Sequence, residues 1–329
     1  MLQQKLYLFL FFFSLLGFGQ EKVTLSGIVS DANNNETLIG VSVYVSDLNI
    51  GTYTNEYGFY SITLPKGNYT LQISYIGFET FSEKLEIDQN VKKNFSLKES
   101  KQELKEVVIT ENAYKTNIKK PEMSVNKLAI STIKQMPVLM GEVDIIKSLL
   151  FLPGVTNAGE GQSGFNVRGG GADQNLVLLD EATLYNTSHV FGLFSVFNAD
   201  AIKDLKLYKG GIPSRFGGRA ASVLDVYQKD GNSNKFSMNG GIGLISSRLL
   251  AEGPIVKDKG SFLIAGRGSY AHLFLKLTDN KNSAYFYDLN TKWNYILNDK
   301  NQFFFTGYFG RDIFKFNNSF DNKFGNTVA

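Results

Sequence analysis

The chain has no cysteine. That absence removes disulfides, thiolate metal ligands and thiol nucleophiles together. Histidine is nearly absent too. His189 is followed by Val-Phe-Gly and His272 by Leu-Phe-Leu, so neither opens the His-x-x-Glu spacing of a zinc hydrolase. No Gly-Lys-Ser/Thr follows a glycine run, and Arg168-Gly-Gly-Gly171 leads into a polar connector and a strand, not a helix. A phosphate-cradling loop is thereby excluded. Proline is scarce, 6 residues against 32 glycines, which favours turns and flexible strands over proline-rich linkers. Charge of one sign is lacking: 34 basic and 31 acidic residues leave +3, too balanced to select nucleic acid as partner. Past the first twenty residues no run has the length and apolarity of a spanning helix. Entry into a membrane therefore requires β-structure.

What is present supports packed cores. Hydrophobic residues make up 43% and charged residues 20% of the 329, a length sufficient for two domains. Aromatics reach 13%, with 27 Phe and 16 Tyr against one Trp. Residues 1–19 read as a signal peptide: Lys5 precedes the apolar run Leu6–Leu16, and Gly17-Phe-Gly19 offers small residues for cleavage.

Residues 20–98 read as all-β. Val23–Ser30, Gly40–Ser46, Gly58–Leu64 and Tyr69–Gly77 are rich in β-branched and aromatic residues. Turn signals at 31–35, 55–58 and 65–68 divide them. Alternation puts Tyr60, Ile62 and Leu64 on one face and Phe59, Ser61 and Thr63 on the other, the pattern of a sandwich. Thr54–Phe78 resembles the carboxypeptidase regulatory-like domain, which implies a prealbumin/Ig-like β-sandwich without peptidase chemistry. Asn55-Glu56 ahead of Gly58 reads as a polar hairpin turn and not as a calcium site.

Residues 99–126 form a charged linker. Within it Lys105, Glu106, Val107, Val108, Ile109 and Thr110 make a short β-prone run, either an edge strand or a peptide free to add to a partner's sheet. It resembles a TonB box.

Residues 127–230 read as mixed α/β. A helix is expected over Glu142–Phe151, with Val143, Ile146, Leu149 and Leu150 on one face and Pro153-Gly154 stopping it. A strand is expected over Asn175–Leu179, a turn at Asp180–Ala182, a short helix over Asn198–Lys203 and a strand over Leu205–Tyr208. Several motifs occur in order: Leu152-Pro-Gly-Val155, Phe165-Asn-Val-Arg-Gly-Gly-Gly171, Asn175-Leu-Val-Leu-Leu-Asp180, Phe197–Gly211 and Arg215-Phe-Gly-Gly-Arg219. Together they resemble the plug of TonB-dependent outer-membrane receptors. The resemblance singles out Arg168, Gly169, Gly170, Asp180, Arg215, Gly217, Gly218 and Arg219. The three arginines have planar forks suited to carboxylates within a plug or on a surrounding wall.

Residues 231–329 read as the start of an antiparallel transmembrane β-barrel. In Tyr285–Leu297 the odd positions (Tyr, Tyr, Leu, Thr, Trp, Tyr, Leu) are mostly apolar and the even ones mostly polar. That is the dyad of a strand between lipid and lumen. A soluble antiparallel sheet also alternates, but its strands rarely exceed about 10 residues. About four strands are expected here, far short of the roughly 22 of a plugged transporter barrel, so the sequence reads as an N-terminal fragment.

The resemblance implies an outer-membrane receptor that imports an unidentified extracellular substrate by energy-coupled plug movement. Its partners would be the TonB energy-coupling complex and outer-membrane lipid, with no cofactor, metal or nucleic acid and no enzymatic activity. The N-terminal domains would lie in the periplasm or the barrel lumen. The competing reading is a secreted or periplasmic β-module interaction protein without transport, which leaves the plug motifs unexplained.

Overall fold

Every second side chain is buried along Lys22–Asp31 (β1), with Val23, Leu25 and Val29 turned inward. Such period-two burial needs a second layer to cover the apolar face. The computed structural model describes residues 22–100, 124–136, 142–159, 164–270, 272–273, 282–298, 301–316 and 320–329. The signal segment and Lys105–Thr110 lie outside the described residues.

The remaining strands of the first domain are Ser42–Val45 (β2), Ile50–Tyr53 (β3), Phe59–Pro65 (β4), Gly67–Ser74 (β5), Phe81–Ile87 (β6), Val91–Lys92 (β7) and Phe95–Leu97 (β8). β1 pairs antiparallel with β4 and parallel with β7 and β8. The second sheet runs β3-β2-β5-β6. Leu25, Val43, Tyr60, Leu64, Leu71 and Ile73 meet between the sheets, so the sandwich is as expected. At the 55–58 turn the Asn55 side-chain oxygen accepts from the Tyr57 and Phe59 amides at 3.0 and 2.9 Å, and Gly58 takes φ 71°. This is turn chemistry.

The second compact unit takes in Asn34–Glu36 and residues 103–329. Its α/β part contains Val125–Ala129 (β9), helices Ile130–Lys134 (α1) and Ile145–Leu149 (α2), then Val155–Asn157 (β10), Phe165–Val167 (β11), Asn175–Leu179 (β12), Ala182–Thr183 (β13), Ser188–His189 (β14), Phe194–Ser195 (β15), Ile202–Tyr208 (β16) and Ser222–Gln228 (β17). The main sheet is mixed, in the order β13-β12-β17-β16-β9, with β12 parallel to β17. Asp144 caps α2 by accepting from the Lys147 amide at 3.0 Å. Ile145, Ile146 and Leu149 then face Phe165, Phe197, Leu205 and Leu224 in the core.

One expected helix is absent. Residues 198–201 form a turn and Ile202–Lys203 already belong to β16. The Asn198 side-chain oxygen accepts from the Asp200 amide at 3.1 Å and its carbonyl from Ala201 at 3.0 Å. An asparagine that takes backbone donors locally offers the chain an alternative to a helix.

Six strands follow instead of the expected four or so: Ser237–Ile242 (β18), Ser246–Val256 (β19), Gly260–Ser269 (β20), Ser283–Asn298 (β21), Asn301–Phe316 (β22) and Phe320–Val328 (β23). Each pairs antiparallel with its sequence neighbour in one meandering sheet. Among the described residues this sheet is open, with β18 and β23 at its edges. Its two faces invert the usual rule. On β21 Phe286, Asp288, Asn290, Lys292 and Asn294 are buried, while Tyr287, Leu289 and Trp293 are exposed by 39, 46 and 41%. A sheet that exposes its apolar residues and buries its charges fits lipid on one side and a polar domain on the other.

Candidate functional site

The buried polar face of this long-stranded wall packs on the α/β domain through three charged clusters. The first centres on His189, at the end of β14. Its Nδ1 lies 2.8 Å from Asp312 Oδ2 on β22, and its Nε2 3.1 Å from Tyr308 Oη and 3.3 Å from Asp288 Oδ2 on β21. The ring stacks on Phe286 with centroids 4.3 Å apart at 6°. Arg267 on β20 extends the cluster. It donates to Asp288 Oδ2 from Nη2 at 2.6 Å and Nε at 3.0 Å, to the Ser195 carbonyl at 2.6 Å, and to Glu142 Oε2 at 3.3 Å. Side-chain exposure is 2% for His189 and 0% for both aspartates. Deleting one partner of ion pairs this dry is strongly destabilising, because the remaining charge stays buried.

The second cluster joins Asp180 to the wall. Its carboxylate accepts from the Gln228 amide at 3.0 Å, Gln228 Nε2 at 3.2 Å, Lys292 Nζ at 3.3 Å and Thr306 Oγ1 at 2.9 Å. Lys292 also lies 3.1 Å from Asp230 and donates to the Gln228 carbonyl at 2.9 Å. Burial works against the Asp230 charge, yet Lys203 and Lys292 hold its carboxyl well below the usual carboxylate range.

The third cluster is Asp200, between Lys134 on α1 at 2.8 Å and Arg248 on β19 at 2.7 Å. Burial opposes its charge too, and the two cations outweigh it and lower its pKa.

Of the residues singled out from sequence, Asp180 reaches the wall, through Lys292 and Thr306. Arg168 stays inside the domain, donating to Ser124 Oγ at 2.9 Å from a backbone with φ 50°. Gly169 has φ 85°, and a Cβ on Gly170 would fall 2.5 Å from Ala221 Cβ, so this turn depends on glycine. The Arg215 guanidinium lies 4.7 Å from the Phe216 ring centroid. Arg219 is exposed and donates to the Gly218 carbonyl at 3.4 Å; Gly217 is exposed beside it. Arg219 also borders a cavity of about 240 Å³ lined by Phe165, Asn175, Thr183 and Tyr185. His189, Asp230, Arg267, Asp288, Lys292 and Asp312 were not singled out. For Asp288 and Lys292 the signal in sequence is the polar half of the β21 alternation.

Residues 25–109 match the CarboxypepD_reg-like domain family, and residues 124–224 match the TonB-dependent Receptor Plug Domain family. The first match runs across Lys105–Ile109. Among solved structures, the chain is similar to the siderophore receptor PirA from Acinetobacter baumannii. Identity there is 16% over 59% of this chain and 32% of that one, with a TM-score of 0.44. PirA from Pseudomonas aeruginosa gives 15%, 58%, 34% and 0.44 on the same measures. A point mutant of the ferric enterobactin receptor PfeA from Pseudomonas aeruginosa gives 16%, 61%, 34% and 0.44. The chain thus spans about a third of the length of the receptors it resembles. No curated protein sequence matches it.

The α/β domain is a receptor plug seated on barrel-like strands. The chain carries a TonB-dependent receptor plug domain behind a CarboxypepD_reg-like sandwich.

Proposed function

We propose that the protein works as a TonB-dependent outer-membrane receptor, importing an extracellular substrate when energy coupled through TonB displaces the plug. The observation that carries this reading is the inverted sheet: one face apolar and exposed, the other polar and pinned to a plug-family domain by buried charges. A plug that must move needs a polar, hydrogen-bonded seat in place of a large apolar interface, because charge pairs separate without exposing a hydrophobic core. On this reading residues 20–98 form the sandwich, 99–126 the linker, 127–230 the plug and 231–329 the first wall strands. The N-terminal domains lie in the periplasm or the lumen, the apolar strand faces meet outer-membrane lipid, and Lys105–Thr110 adds as a strand to TonB.

The test is capture of the purified chain by the periplasmic domain of TonB, alongside membrane fractionation of cells expressing the full reading frame. Outer-membrane location with capture abolished by Val108→Pro supports the proposal, since proline removes a ladder donor. A protein recovered soluble from the periplasm and not captured by TonB would overturn it in favour of a β-module interaction protein.

A further inference from the structure

The hairpin between β14 and β15 is built from unfavourable backbone. Val190 and Phe191 have φ of 49° and 54°, followed by Gly192 at 87°. Two successive side-chain-bearing residues in the left-handed region, one of them β-branched, persist only where the surroundings over-determine them. Here the surroundings are a wall carboxylate and an apolar seat, in which Val190 clusters with Phe286 and Phe314 and the Phe191 ring lies 4.1 Å from that of Phe314. Asp312 Oδ1 accepts from the Val190 amide at 2.9 Å, while Oδ2 meets His189 Nδ1 at 2.8 Å. The other ring nitrogen faces Asp288 and Tyr308. With its single N–H on Nδ1, a neutral imidazole keeps the Asp312 bond and can accept from the Tyr308 hydroxyl, but it turns the Nε2 lone pair toward Asp288 Oδ2 3.3 Å away; an imidazolium donates on both sides.

We propose that His189 is a proton-operated latch, whose imidazolium clamps the 188–195 hairpin between Asp288 and Asp312 and whose deprotonation frees the hairpin tip.

The wall is shaped for this ring. Phe286 stacks on it, and a Cβ on Gly310 would come within 3.0 Å of its Cε1. Charged and titratable groups face it from every packed element: Asp288 on β21, Asp312 and Tyr308 on β22, Arg267 on β20, and Glu142 ahead of α2 acting through Arg267. Burial pushes the imidazole toward neutrality and Arg267 works in the same direction. The two aspartates outweigh both, and the net effect raises the pKa above its ordinary 6.5. The sign follows. The latch is fully closed below about pH 6.5, the value expected of the unfolded chain, and opens as pH rises through the higher folded value. The latch stands on hairpin and wall geometry, whether or not the chain imports anything.

Hydrogen–deuterium exchange of the peptide spanning residues 186–196, in the full chain in detergent from pH 6 to pH 9, reads the latch directly. After correction for intrinsic exchange, its protection falls about tenfold across the titration, while the 202–208 segment of β16 stays constant. In His189→Gln, protection is low and independent of pH. Protection of the wild-type hairpin that is flat with pH, or a slope that survives in His189→Gln, overturns the proposal. The wild-type series decides even where the variant does not fold.

Discussion

Asp180 has φ 44° and Glu181 φ 72°, so this carboxylate sits on a left-handed turn that asparagine also tolerates. Asp180→Asn therefore tests charge without testing backbone. It removes the charge and turns one of the two acceptor oxygens into an NH2 donor, so a single oxygen remains for Lys292, Thr306 and the two Gln228 donors, while Asp230 still holds the lysine. A loss of about 2–3 kcal/mol is expected, the scale of a charge-assisted hydrogen bond, measured by urea unfolding of the folded chain; a loss below about 0.5 kcal/mol would show that Asp230 alone suffices. The two kinds of anchor also respond to opposite ends of the pH scale. Asp200 and Asp230 have lowered pKa values, so their stabilisation is complete above about pH 4 and disappears as pH falls through the lowered values. The His189 anchor fails on the alkaline side instead.

At the scale of elements, β21 was legible because alternation over many residues leaves only one way to orient it. The edge strand β6, Phe-Ser-Glu-Lys-Leu-Glu-Ile, was not. It is charged, pairs only with β5 and buries little beyond Ile87, and such edges carry charge that masks the strand signal. The 198–203 segment was misread because spacing alone cannot show where a side chain caps the backbone. The wall clusters were illegible for another reason. His189 and Asp312 are 123 positions apart, Glu142 and Arg267 125, and no local pattern links residues so distant. The reading of β21 yields a direct test. Leu289→Lys, midway along the exposed apolar face, should cost about 2–4 kcal/mol in a lipid bilayer and far less in a strand facing water. Folding into lipid vesicles measures it, and an unchanged folding midpoint would place that face outside the hydrocarbon.

For the whole molecule, the sandwich forms its own compact unit with its own core of Leu25, Val43, Leu64, Leu71 and Ile73. Residues 22–100 expressed alone should unfold in one cooperative transition, followed by circular dichroism; a non-cooperative melt would show that the domain needs the rest of the chain. The sheet order of the plug has a mechanical consequence. Among the described residues β9 is the outermost of five strands and pairs only with β16, from Val125 against Tyr208 to Ala129 against Asp204. Tension on the chain ahead of Ser124 loads first the bonds that Ser124 accepts from Arg168 at 2.9 Å and the Lys209 amide at 3.0 Å, then the Val125–Tyr208 rung. It can then strip β9 rung by rung, against about 0.5–1.5 kcal/mol for each backbone bond, while β12, β16 and β17 stay joined. The plug is thus built with a tear strip along one border, so that a modest pull opens a seam before it disturbs the body.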